Sequence, residues 1–227
     1  MNEAQPSQVK AYWEKVARTF DTIYSGEKSG IYRWLDRVFR KDMYERLRLT
    51  LEVCGADEIH SVLDVGTGSG RFCIPLAAGK DRVVGIDFSE PMIELARRHA
   101  AENEVESKCR FEVGDFLEMD FDEPFDAIMA IGLFDYIRQP DVFLTKMNAV
   151  AERVVVATYP RFWTWRAPVR WIRLHLQGCP VYFFTKSQIR KSYEAAGMRI
   201  ERLESVGKIF FVVFTPSGAK DDQRADD

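Results

Sequence analysis

The chain has no surplus of positive charge. Its 227 residues carry 32 lysines and arginines against 35 acids, a formal net charge of −3. General nucleic-acid binding needs a basic footprint, so that class of partner is excluded. Sulfur and imidazole are scarce as well. Cys54, Cys73, Cys109 and Cys179 form no C-x-x-C pair, and there are only three histidines. No metal site and no disulfide framework is expected, and the scattered cysteines read as reduced thiols. Long apolar runs are also missing; no stretch approaches the roughly 20 residues of a membrane span. The first residues, among them Asn2, Glu3, Gln5 and Lys10, lack the apolar core of a signal peptide, so a cytoplasmic protein is expected. No internal repeat or linker divides the sequence. What remains is 46% hydrophobic and 30% charged, enough for one α/β domain with additions.

The informative stretch is Ser61-Val62-Leu63-Asp64-Val65-Gly66-Thr67-Gly68-Ser69-Gly70-Arg71. Val62, Leu63 and Val65 suit a strand buried on both faces, with Asp64 near its far end. Gly66, Gly68 and Gly70 let the backbone turn sharply and approach a ligand closely. Phe72, Ile74, Leu76 and Ala77 then follow a helical pattern, so the turn joins a strand to a helix N-terminus that favours polar or negative ligand groups. A second strand, Arg82-Val83-Val84-Gly85-Ile86-Asp87, ends in an acid 23 residues after Asp64. An acid there is placed to accept the two hydroxyls of a ribose. Its alternative is a turn residue capping the next helix, but Ser89 supplies that cap ahead of Glu90 and Pro91. Counting from Gly66 or Gly68, the third glycine of a nicotinamide-binding Gly-x-Gly-x-x-Gly is missing, which argues against a dehydrogenase.

Leu63 to Gly70, then Val84-Gly85-Ile86-Asp87-Phe88-Ser89, then Met92 and Ala96, resemble the class I S-adenosylmethionine-dependent methyltransferases. The resemblance covers roughly Asp64 to Phe214. It implies S-adenosylmethionine as cofactor, held by Asp64, Gly66, Thr67, Gly68, Asp87, Phe88 and Met92. By the same resemblance Asp115 meets the adenine amino group and Phe116 covers the ring, with Ile131 at the end of the fourth strand beside them. The family also implies an N-terminal aromatic helix folded over the cofactor, for which Phe20, Tyr24 and Tyr12 are the candidates.

The rest of the chain reads consistently. Val9, Trp13, Val16 and Phe20 share one helical face, ended at Tyr24-Ser25-Gly26. Leu35, Phe39, Met43, Leu47 and Leu51 mark a second helix before Gly55; both helices cover the ligand edge or pack on the sheet flank. Further strands are expected at Lys108–Val113, Phe125–Gly132 and Arg153–Thr158, with helices over Glu90–Glu102 and Asp141–Ala151. A helix opened by Thr185 and Ser187 precedes two strands, Met198–Leu203 and Lys208–Phe214, close enough to form an antiparallel hairpin. The expected fold is a three-layer α/β Rossmann-like sheet of seven strands, five parallel plus that C-terminal edge hairpin. Residues 1–215 then form one domain, with 1–55 a helical cover, 159–184 a lid insertion, and 216–227 a disordered tail.

The substrate side falls at the remaining strand exits, because open α/β sheets bind ligands beyond the carboxyl ends of their strands. Asp135, Tyr159, Arg161, Trp163 and Arg166 are the substrate-binding candidates, and Tyr136 and His175 the catalytic ones. His60 and His99 are expected to lie out of reach. Between Tyr159 and Leu176 stand three of the five tryptophans and four arginines without an acid. This stretch reads as a lid gripping a flat or greasy anion, as a basic amphipathic helix making peripheral membrane contact through 161–176, or as an inserted helix with solvated arginines. Tyr159-Pro160, Tyr182-Phe183-Phe184-Thr185 and Lys208-Ile209-Phe210-Phe211 are similar to magnesium-protoporphyrin O-methyltransferases, which implies a porphyrin or lipid-like carboxylate as acceptor; Thr67 departs from the cradle common there. The expected activity is methyl transfer to an O or N atom of a small hydrophobic or anionic molecule, by a monomer or homodimer. A non-catalytic nucleotide-binding regulator is the alternative.

Overall fold

Strand β1 (Ser61–Val65) is buried at every position but its first, because helices cover both of its faces. β2 (Arg82–Asp87) and β4 (Phe125–Ala130) flank it in parallel, with Leu63 opposite both Val84 and Ile128. β3 (Cys109–Val113) adds parallel to β2, and β5 (Ala151–Pro160) parallel to β4. β6 (Arg199–Val206) and β7 (Ile209–Thr215) pair antiparallel, and β7 lies antiparallel on β5. The sheet order is β3-β2-β1-β4-β5-β7-β6. This is the expected seven-stranded arrangement of five parallel strands closed by an edge hairpin. The computed structural model describes residues 9, 12, 13, 43–162 and 179–218.

Period-two alternation along the strands sorts the core into two layers. Leu63, Val84, Ile128, Val155 and Tyr159 face α4 (Asp141–Val150) and α5 (Lys186–Ala195), through Leu144, Met147, Ile189 and Tyr193. Val62, Val83, Ala127, Met129 and Val156 face the opposite layer. That layer holds a helix over 43–54 (α1), α2 (Cys73–Ala77) and α3 (Glu90–Glu102), through Leu49, Cys54, Cys73, Leu76 and Ala96. α5 opens on a capping box: the Thr185 hydroxyl accepts from the Gln188 N–H while Gln188 Oε1 accepts from the Thr185 N–H.

Several boundaries differ from expectation. β5 runs on to Pro160 because β7 continues to pair with it there, Ile209 opposite Pro160. The hairpin closes on only Gly207 and Lys208, since β6 extends through Val206 and Gly207 takes φ 52°. The tail is tethered beyond Pro216: the Ser217 N–H donates to Asn148 Oδ1 at 2.9 Å and its hydroxyl to the Gly197 carbonyl at 2.8 Å. The second N-terminal helix packs on the sheet flank through its later residues, Leu49 and Cys54. Its earlier residues reach the segment after the glycine turn, with the Arg71 guanidinium 5.9 Å from the Tyr44 ring centroid. All four cysteines are free and buried.

Candidate functional site

The site grows from the turn after β1. Gly66, Gly68 and Gly70 take φ of 77°, 54° and 74°, the left-handed region where a side chain is strained. At Gly70 a Cβ would also stand 2.9 Å from Phe111 Cζ and 3.2 Å from Ala96 Cβ, so this residue anchors the turn against β3 and α3. At Gly68 a Cβ would meet nothing, so this is the residue whose backbone is open to a ligand. Gly70→Ala is expected to cost about 2–4 kcal/mol from left-handed strain plus overlap. Gly68→Ala is expected to cost about 1 kcal/mol, from strain alone. Chemical denaturation of the two variants checks the contrast.

Asp87, the last residue of β2, reaches across to the turn. Its Oδ2 accepts the Gly68 N–H at 2.9 Å and its Oδ1 the Ser89 N–H at 2.9 Å. This corrects the expectation that Ser89 supplies the cap: the Asp87 carboxylate takes the Ser89 N–H at the start of α3, while the Ser89 hydroxyl, buried, makes no cap bond. A carboxylate has about four acceptor positions, so about two remain for a ligand diol. Burial pushes the Asp87 carboxyl up, opposed by those two N–H bonds.

Asp64 alternates onto the face that carries α1–α3. Only 1% of it is exposed, and its Oδ2 lies 3.5 Å from Cys73 Sγ. Cys73 Sγ in turn lies 3.4 Å from the Thr67 hydroxyl. Burial, with Asp87 nearby, pushes Asp64 up to about 7, against the bonds from Thr67 and Cys73. Asp64 and Thr67 thus stand behind the glycine turn and support it. His99 packs against the turn, its Nδ1 3.1 Å from the Ser69 carbonyl. The turn runs on to Phe72 before the short α2 begins, and so descends along α3. His60 stays at the start of β1, beside Asp81 at the opposite edge.

Aromatic side chains cluster beside the exits of β2 and β4. Trp13 packs on Met92 and Leu95 of α3, and its ring meets the Tyr136 ring edge-on at 5.6 Å. Tyr12, Tyr136 and Phe183 together pack on Cys179 and Val181. Trp13 was legible only as part of the helical face; that it bridges the exits of β2 and β4 required the fold. Arg46 had no signal in the sequence at all. Its Nη1 lies 3.5 Å from where a Cβ on Gly132 would stand, at the exit of β4. Gly132, at φ 86°, turns the chain into a short 3-10 helix, Leu133–Asp135, and its N–H donates to the Thr158 hydroxyl at 2.8 Å. Asp135 is buried there, with its carbonyl accepting the Tyr182 N–H at 2.9 Å. Ile131 and Phe88 are half-buried at the ends of β4 and β2.

Three expected site residues are committed elsewhere. Tyr159 is wholly buried: its ring stacks on Phe134 at 4.7 Å and its hydroxyl bonds to that of Tyr193 at 3.0 Å, because alternation turns it toward α5. Phe116 is also core, 3% exposed and packed with Phe121 and Phe143 beneath the Lys146 ammonium, so its ring is not open to an adenine. Arg161 donates to the Gly207 carbonyl at 2.7 Å and lies over Phe210, tied to the hairpin by the added length of β5. Asp115 is exposed, with its Oδ1 accepting the Leu117 N–H at 2.9 Å. Phe20, Tyr24, Trp163, Arg166, His175 and nearly all of the 161–176 stretch lie outside the described residues.

A glycine turn, an acid at the next strand end and a sheet closed by an antiparallel hairpin define the Rossmann-like class I methyltransferase fold. Residues 57–173 match the methyltransferase domain family, and the chain belongs to it. S-adenosylmethionine is the methyl donor that this membership implies. The chain is similar to ubiquinone biosynthesis O-methyltransferase of Mesorhizobium japonicum, 38% identical over 85 residues, covering 37% of this chain and 34% of that protein. It is likewise similar to ajmaline N-methyltransferase of Rauvolfia serpentina, 34% identical over 93 residues, covering 40% and 32% of the two chains. The matched region thus spans about a third of the length of these relatives. Among solved structures, magnesium protoporphyrin IX methyltransferase from Synechocystis PCC 6803 with bound SAH superposes with a TM-score of 0.76 at 18% identity. That overlap covers 94% of this chain and 100% of the other, and establishes a common fold.

Proposed function

We propose that this protein transfers the methyl group of S-adenosylmethionine to an oxygen or nitrogen atom of a small hydrophobic or anionic molecule. The observation that carries the reading is the Asp87 carboxylate, 2.9 Å from the Gly68 N–H at the one turn residue with open space in front of it. When bound, the donor supplies a methyl already activated on a sulfonium, so the protein has only to bind, align and exclude water. Asp87 takes the ribose hydroxyls. Arg46, at the exit of β4, takes the carboxylate of the amino-acid end. Met92 and Phe88 line the adenosyl side, while Trp13 on Tyr136 shields the reacting centre from water. A neutral hydroxyl or amine acceptor loses a proton on transfer; the Asp135 carboxylate at that exit is the group proposed to receive it, with Tyr136 beside it in sequence.

In this reading residues 1–215 work as one unit. Among the described residues no helix is long and apolar enough to cross a membrane. Isothermal titration with S-adenosylhomocysteine tests the site. Binding is expected, and Asp87→Ala is expected to weaken it at least about tenfold, since each charge-assisted bond contributes ~1.5–3 kcal/mol. Equal affinity in the variant would remove Asp87 from the ligand.

A further inference from the structure

Behind the glycine turn, three buried side chains form a hydrogen-bonded cluster. Cys73 is 0%, Asp64 1% and Thr67 5% exposed, with Thr67 Oγ1 to Cys73 Sγ at 3.4 Å and Cys73 Sγ to Asp64 Oδ2 at 3.5 Å. A thiol has one proton to give. An ionised carboxylate can only accept, so Cys73 donates to Asp64, and the Thr67 hydroxyl stands beside both with one proton to give. Cys73 is held as a thiol, because burial beside Asp64 pushes it well above its ordinary range. The donor is weak, but a bond to an anion in a dry setting is strengthened.

The charged surroundings of Asp64 give this bond its consequence. From β2 it faces Asp87, a like charge that disfavours its ionisation. From α1 it faces the Cys54 thiol, itself pushed up to about 12, with Lys80 beyond that thiol. Lys80 is tied to the Ala56 and Ile59 carbonyls, both at 2.6 Å. From α3, His99 reaches the Ser69 carbonyl of the turn. Two acids thus share one end of the cradle, and the Thr67 and Cys73 bonds are the interactions that favour the Asp64 anion.

Resting on the reading of the cradle as a cofactor site, we propose that Cys73 is a positioning residue: by donating to Asp64 it keeps an anion behind the glycine turn, where that charge selects the sulfonium-bearing methyl donor over the uncharged thioether product. The distinction needs no direct contact, because a full charge is felt across several ångströms of protein when water is excluded. It would aid turnover, since the product differs from the donor at this end by one positive charge.

The test is the ratio of S-adenosylmethionine to S-adenosylhomocysteine affinity, measured by titration calorimetry from about pH 5.5 to 9. The ratio is expected to rise several-fold with pH in the native protein. Asp64→Asn should abolish the rise, which separates it from titration of the ligands. Cys73→Ala should move its midpoint upward by about one pH unit, and Cys73→Ser, which restores a donor, should move it back. A thiol that merely fills space would shift stability in these variants and leave the midpoint alone. A ratio indifferent to pH in the native protein, or a Cys73→Ala curve that overlays it, overturns the proposal. Failure of both ligands to bind at any pH would instead overturn the reading beneath it.

Discussion

Asp64→Asn is expected to stabilise the ligand-free protein above neutral pH while weakening its hold on the methyl donor. The reasoning is linkage. Folding raises the Asp64 carboxyl from its ordinary 3.8 to about 7. Between those values the folded state binds more protons than the unfolded state, so stability falls as pH rises through this window and levels off above it. The full difference is up to ~4 kcal/mol, at about 1.4 kcal/mol for each pH unit separating the two states. Asparagine keeps the shape and removes the charge, so its unfolding free energy should lack this decline. The quantity to measure is the difference between native and variant from urea unfolding at about pH 4.5 and 8, because all other titrating groups cancel. Equal slopes would show that Asp64 ionises freely and is no site of stored electrostatic cost. On the proposal above, a cationic ligand offsets this penalty on binding, the kind of exchange between stability and function that functional sites show.

The second large effect concerns Tyr159. Tyr159→Ala should lower stability by ~3–5 kcal/mol, because it empties the space between Phe134, Phe184 and Tyr193. Tyr159→Phe should cost ~1–3 kcal/mol, because it leaves the Tyr193 hydroxyl buried without its partner. Removing both hydroxyls in a Tyr159→Phe, Tyr193→Phe double variant should cost less than the two single losses added together. Thermal and urea unfolding give these values, and titration of Tyr159→Phe with S-adenosylhomocysteine should match the native protein. A weakened ligand with unchanged stability would return Tyr159 to the binding site and remove it from the core.

The contrast between Asp87 and Tyr159 shows how far a side chain's position is legible in sequence. Asp87 is specified locally: a strand of one length, a turn of one composition and an acid at the strand's end leave it one place to go. Tyr159 also sits at a strand end, but β5 runs two residues past its expected stop, because β7 pairs with it as far as Pro160. That added pairing turns Tyr159 into the layer under α5 and fastens Arg161 to the hairpin. Phe116 fails for a related reason: an apolar residue after a turn can cover a ligand or join the core. Here Phe121, Phe143 and Lys146, brought in by a separate loop and helix, make the core the better burial.

The sequence by itself determined the class of sheet, the crossover from β1 through the glycine turn, and the acid that bonds to it. Those features depend on short-range rules of alternation, backbone freedom and strand length, which a few neighbouring residues satisfy alone. The tertiary structure decided that Arg46 and Trp13 meet the strand exits, that Cys73 supports Asp64, and that His99 touches the turn. These contacts join residues far apart in the chain, and only the packing of helices on a completed sheet brings such partners within bonding distance.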